Sequence, residues 1–334
     1  MSRGSLASAL TLSALSLFMV LKSKLAAATL KGIDGGFRRV NVPSPGTRTE
    51  YYTADKDIAW SQELRWSWQN ADPVDPLQAQ GLFTEPEAFR PGPRTERWNH
   101  PVGAPALAAD GRQLIRDGDT VTVDLPMCGD ADRRHLCKSD DVYADYDYTL
   151  SRDGAKIARS RDGAAEFPRN TALAAWNVPA GSGTYTLTAR ADRSQWNGLS
   201  TGVEGTWTFR SGPVSEPAAL PLTSVRFKPP VDTWSRAGDD QVLAVPFEVQ
   251  RTGDQPRGKL RGLTVEASFD GGTTWARVPV VKNRALITHP ALTALPVEHL
   301  DRNGHGYVSL RARGADRVSS FEVTVKKAYK IKKS

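Results

Sequence analysis

Tandem β-sandwich modules of the immunoglobulin-like kind, an all-β fold class, are what this chain of 334 residues predicts, on three observations. Apolar side chains recur at period two in one segment after another, Gly 28 and Pro 22 supply many turns, and Gly262–Pro279 spells out a whole hairpin. In that hairpin Leu263, Val265, Ala267 and Phe269 alternate with Thr264, Glu266 and Ser268, the signature of a half-buried strand. Asp270-Gly271-Gly272 tolerates the positive φ of a tight reversal, and Trp275 and Val278 begin the return strand. A lone hairpin cannot bury its apolar face, so a second sheet must pack over it.

The length allows two or three domains of ~100–150 residues each. A hydrophobic fraction of 39%, with Trp 9, Tyr 8 and Phe 10, is enough to fill their cores. Residues 1–28 read as an export signal: Arg3 is a minimal positive start, Leu6 to Leu21 an apolar run, and Ala26-Ala27-Ala28 a cleavage site of small residues. The run falls short of the ~20 residues a bilayer needs. Lys22 and Lys24 interrupt the signal pattern, which leaves an uncleaved anchor or a chain start misassigned as alternatives. Membrane association is expected only if the segment stays uncleaved.

Residues 29–105 form the first module. Leu30, Ile33, Phe37, Val40 and Val42 precede the turn signal Pro43-Ser44-Pro45-Gly46, and Leu64, Trp66 and Trp68 share one strand face. A tryptophan pair at that spacing reads as core; exposed, Trp60, Trp66, Trp68 or Trp196 would instead be surfaces on which sugars stack.

Residues 106–212 form a second sandwich. Val121, Val123 and Leu125 alternate with polar neighbours, as do Tyr146, Tyr148 and Leu150, before Asp153-Gly154 turns the chain into Ile157. Tyr185, Leu187 and Ala189 make another apolar face, and Trp207 with Phe209 a further one. Cys128 and Cys137 lie nine positions apart in a polar loop, with no other cysteine and no zinc spacing, and are expected to form a disulfide in an oxidising compartment; two free thiols are the alternative. Between the first two strands Asp130, Asp132, Asp140, Asp141, Asp145 and Asp147 offer oxygen ligands of the kind calcium takes. No twelve-residue calcium loop is present, and Arg133, Arg134 and Lys138 are interspersed, so a solvated loop is expected.

Pro213 to Pro221 reads as a linker into the module 213–334. There Val225 and Phe227, then Leu243, Val245, Phe247 and Val249, then the hairpin, then Val308, Leu310 and Ala312, and last Phe321, Val323 and Val325, supply the strands of one sandwich. Pro246 lies on the polar parity and suggests an edge strand. The net charge of +7 arises from 44 basic and 37 acidic side chains, and Lys326, Lys327, Lys330, Lys332 and Lys333 gather much of the excess into what reads as a solvated tail. Nucleic acid is not an expected partner, because the aromatic residues alternate within apolar faces instead of interleaving with Arg and Lys.

No catalytic, cofactor or metal signature stands out. His100, His135, His289, His299 and His305 lie outside any nucleophile, metalloprotease or phosphate-loop pattern. Asp301-Arg302-Asn303-Gly304-His305-Gly306, the most polar loop, reads as a turn between strands.

An ordered series of short pieces carries a resemblance. They are Thr47-Arg48-Thr49-Glu50-Tyr51-Tyr52, Arg94-Thr95-Glu96-Arg97-Trp98-Asn99, Arg116-Asp117-Gly118-Asp119-Thr120, Leu150-Ser151-Arg152-Asp153-Gly154, Thr206-Trp207-Thr208-Phe209-Arg210-Ser211 and the hairpin through Trp275. In order and spacing, over Leu30 to Ile331, the chain resembles the C-terminal, non-catalytic region of large secreted bacterial subtilisin-like serine peptidases. The family's Asp, His and Ser motifs belong to an upstream peptidase domain and have no counterpart here, so the resemblance assigns no catalytic residue. It implies a secreted accessory region, either a stand-alone protein or a truncated remnant, whose partner is a peptidase domain. The alternative is a cell-envelope or glycan-binding protein, with a cell-wall polymer as partner and the stacking tryptophans and lysines as its contacts.

Overall fold

The computed structural model describes residues 6–7, 19–27, 37–42, 45–69, 77–98, 102–137, 145–160, 173–195 and 197–334. Nearly all of its regular structure is β, as the alternation predicts, with two short 3-10 turns at Leu292–Ala294 and Val297–His299. Two compact units emerge: 1–100 with 134–138, and 101–133 with 139–334.

The first strands are β1 (Leu6–Ala7), β2 (Met19–Ala27), β3 (Phe37–Val42), β4 (Tyr52–Thr53), β5 (Ile58–Gln69), β6 (Leu77–Thr84) and β7 (Glu87–Ala88). After β8 (Leu114–Asp117) and β9 (Thr120–Asp124) comes β10 (His135–Cys137), which returns to the first unit and pairs with β6. The first unit's main sheet runs β10-β6-β5-β2-β3, with β7 also on β5. Part of the expected export signal is thus a strand, β2, paired with β5 from Met19 to Ala27 and with β3 from Met19 to Lys24. Residues 1–5, 8–18 and 28 of that segment lie outside the described residues.

In the second unit follow β11 (Asp145–Arg152), β12 (Ala155–Arg159), β13 (Leu173–Asn177), β14 (Gly183–Asp192) and β15 (Gly202–Ser211). Next are β16 (Ala218–Ala219), β17 (Leu222–Phe227), β18 (Arg236–Gly238), β19 (Val242–Thr252) and β20 (Arg261–Ser268). The last are β21 (Ala276–Val278), β22 (Val280–Val281), β23 (Arg284–Thr288), β24 (Gly306–Ala315) and β25 (Ser319–Lys332). One long sheet runs β12-β11-β14-β15-β25-β24-β20-β21. Two smaller ones, β13-β9-β8-β16 and β17-β19-β23-β22, complete the unit.

The long sheet ties together the two stretches that the sequence divides at Pro213–Pro221. β15 pairs with β25 from Gly202↔Lys326 to Phe209↔Ser319, and a single apolar core runs from Val102 to Ile331. Residues 213–221 include β16, which pairs with β8, and Ala219 and Leu220 are buried. Side chains bridge the layers: the Tyr148 hydroxyl donates to the Leu125 carbonyl (2.8 Å), and Trp207 Nε1 donates to the Thr223 carbonyl (2.8 Å). Trp207 lies over Gly205, where a Cβ would come within 2.1 Å of the indole, so this strand position admits no side chain.

The Gly262–Pro279 hairpin forms as its pattern predicts, with Val265 opposite Val278 and Ala267 opposite Ala276. Gly271 (φ 74°) and Gly272 (φ 95°) take the left-handed conformation, and the Asp270 carboxylate accepts the Thr273 and Thr274 amides. Asp153-Gly154 turns β11 into β12, both residues at positive φ. Pro246 corrects its expectation. β19 is flanked by β17 and β23, but its ladder passes from one partner to the other at this residue, so the missing N–H costs no bond.

Candidate functional site

Of the tryptophans singled out as stacking surfaces, Trp60 is built into an aromatic cluster. Its ring meets Tyr52 edge-on (4.9 Å) and lies beside Phe89 (6.4 Å), while Nε1 donates to the Thr53 carbonyl. Trp66 and Trp68 sit at register positions in β5, opposite Gln80 and Gln78. Trp196, Asp140, Asp141, Lys138 and His100 lie outside the described residues. Cys128 and Cys137 are joined in the expected disulfide.

The rest of the acidic insertion serves the framework. Arg226 is fully buried, and its guanidinium donates to the carbonyls of Asp130 (2.5 Å) and Asp132 (3.2 Å). Burial pulls the Arg226 pKa down, while Asp130, Asp132 and Glu248 oppose that shift. Asp147 forms a two-point pair with Arg159. Two of the described histidines likewise have framework neighbours. His135 stacks on Trp98 at 3.9 Å, and His289 bonds the Gly238 carbonyl (2.7 Å) and the Tyr329 hydroxyl (2.9 Å).

The expected lysine tail is corrected: Lys326 to Lys332 belong to β25, with Ala328, Tyr329 and Ile331 buried beneath them. The period-two apolar signal survives past Val325, but an irregularity opposite Ser309 interrupts it. Val308 and Leu310 face Tyr329 and Val325, and Lys327 takes φ 51°. Lys326 pairs with Glu204, Lys330 with Asp301 and Lys332 with Asp232.

These pairings bring cations, acids and an aromatic ring together on one surface. β25 runs between β24 and β18 here, so that Tyr307 and Arg236 flank Lys330 in register. The Tyr307 ring carries the ammonium groups of Lys327 (4.7 Å) and Lys330 (5.5 Å). Asp301 accepts Lys330 Nζ (3.0 Å) and the backbone amides of Asn303 and His305, and the His305 ring lies 3.3 Å from it. Burial raises the Asp301 pKa, but these donors outweigh it and hold the carboxyl well below its usual range. The expected Asp301–Gly306 turn is therefore present, and it buttresses Lys330.

On the other side of Lys330, Asp232 organises a second turn. It accepts the amides of Trp234 and Arg236 (both 2.9 Å), Arg236 Nε (3.1 Å) and Lys332 Nζ (3.1 Å). Ser235, buried at φ 60°, completes this turn, and its carbonyl accepts the Lys330 amide. Trp234 is left 50% exposed. The sequence holds a signal for this residue, an aromatic between Asp232 and Arg236 just after Pro229-Pro230 and outside any alternating run.

No protein-family model matches the chain, and no curated protein matches it. Among solved structures, the chain is similar to three N-terminal domains of the bacteriophage RB49 Highly Immunogenic Outer Capsid protein (Hoc). The identity is 8%, the match covers 94% of this chain and 88% of that one, and the TM-score is 0.22.

Proposed function

We propose that the chain is a secreted, non-catalytic β-sandwich accessory region of a subtilisin-like serine peptidase, acting by packing on a peptidase domain or presenting something to it. The observation that carries the reading is where the resembling pieces fall. Arg116–Thr120 joins β8 to β9, and the buried Arg116 bonds Gly118, Asp119 and Tyr185. Leu150–Gly154 ends β11 and makes its turn, and Thr206–Ser211 is the part of β15 that holds Trp207. Arg94–Trp98 contributes Glu96, buried between Arg94 and Arg134. These are positions where the fold dictates side-chain identity, which supports common architecture rather than common chemistry. The disulfide suits export to an oxidising compartment. Purified protein incubated with casein is expected to give no cleavage sensitive to a serine-directed inhibitor; inhibitor-sensitive cleavage would overturn the reading.

A second reading, binding to cell-envelope polymers, is favoured by one observation: an exposed tryptophan on a fixed turn beside an array of cations.

A further inference from the structure

Resting on that second reading, we propose that the surface formed by Trp234, Arg236, Tyr307, Lys327, Lys330 and Lys332 binds an anionic polysaccharide. Trp234 would stack on a sugar ring, and the lysines would take the acid groups.

Three features carry the proposal. The first is charge. The patch sets four cations, Arg236, Lys327, Lys330 and Lys332, against two carboxylates, Asp232 and Asp301. Asp232 is shared by Arg236 and Lys332, and Asp301 holds Lys330, so four cations against two carboxylates leave an excess of two positive charges on the patch. The second is repetition. Lys330 and Lys332 are two residues apart on one strand, about 7 Å along it, which suits a ligand with regularly spaced charge more than a single small anion.

The third is preorganisation. A half-exposed tryptophan on a mobile loop would lose freedom on binding, but the Trp234 turn is already fixed by its own amide, by Asp232 and by Ser235 in a backbone conformation that serine seldom adopts. An aromatic face between cations accepts the apolar face of a sugar while neighbouring ammonium groups meet its carboxylates or phosphates. A polyanion without sugar rings would use the cations alone.

Equilibrium binding of the full chain to polygalacturonate, dextran and poly-glutamate tests this, with retention on insoluble cell-wall material run alongside. The expected result is salt-sensitive binding to polygalacturonate, at least tenfold weaker binding to poly-glutamate of matched charge, and none to dextran. Trp234→Ala should weaken polygalacturonate about five- to tenfold and Trp234→Phe much less, whereas Lys330→Gln with Lys332→Gln should abolish it at moderate salt. The melting temperature of Trp234→Ala should match the parent, since the ring is half in solvent. Unchanged affinity in Trp234→Ala, or equal affinity for poly-glutamate, would overturn the proposed site while wall retention kept the broader reading alive. No retention on wall and no polygalacturonate binding at low salt would overturn both.

Discussion

Trp207 shows what a single residue does here. It is fully buried, its indole N–H is satisfied by the Thr223 carbonyl, and Gly205 leaves room for its ring. Trp207→Ala removes the largest aromatic of that core and should cost about 3–5 kcal/mol in chemical denaturation. Gly205→Val, which drives a branched side chain into the indole, should also destabilise; a variant as stable as the parent would show that the ring is elsewhere. His289 gives a pH signature. Burial lowers its pKa below the ordinary 6.5, although the Gly238 carbonyl and Asp239 pull the other way. The unfolded chain therefore takes up that proton first as pH falls. The contribution of His289 is complete above about pH 6.5 and is lost as the pH drops from there toward the folded-state value. The melting temperature of the parent should decline over that window more steeply than that of His289→Gln; parallel curves would show that His289 is not the group responsible.

At the scale of elements, alternation was readable wherever one strand face meets the core, as in β9, β11, β14, β15, β19 and β20. The turns at Asp153-Gly154 and Asp270-Gly272 were readable because glycine and aspartate announce positive φ. One element departs from its sequence reading for a physical reason. The end of β25 looked like a tail because its outward residues are lysines and an irregularity breaks the period; the sheet pairs those lysines with acids from distant loops, which no local pattern reveals. The apolar residues of β2 suit either a strand or a leader, and in the structure Met19–Ala27 is a strand. Held between β3 and β5, it should matter to the first unit: a chain beginning at Thr29 should lose hydrogen-exchange protection along β5 while β14 and β15 keep theirs. Unaltered protection of β5 would show that β2 does not stabilise the sheet. The Cys128–Cys137 bridge closes a short loop and should contribute roughly 2–3 kcal/mol. Reduction should add two hydrogens to the intact mass and lower the melting temperature; thiols that react before reduction would contradict the bridge.

At the scale of the whole molecule, most of the unusual chemistry is spent on architecture. Arg116, Arg226 and Arg257 are buried cations that bond backbone carbonyls, and Arg257 alone bonds Leu222, Thr252, Thr223, Ser319 and Asp316. The candidate site was the least legible part of the sequence, because its members come from the loops at 232–236 and 301–305 and from β24 and β25, and only sheet pairing makes them neighbours. The central claim is that β15 and β25 weld the stretches on either side of Pro213–Pro221 into one cooperative body. Hydrogen exchange followed peptide by peptide across a denaturant series tests it most directly. The fused sheet predicts that β11, β14 and β15 lose protection at the same denaturant concentration as β20, β24 and β25; two well-separated midpoints, one for each group of strands, would contradict it.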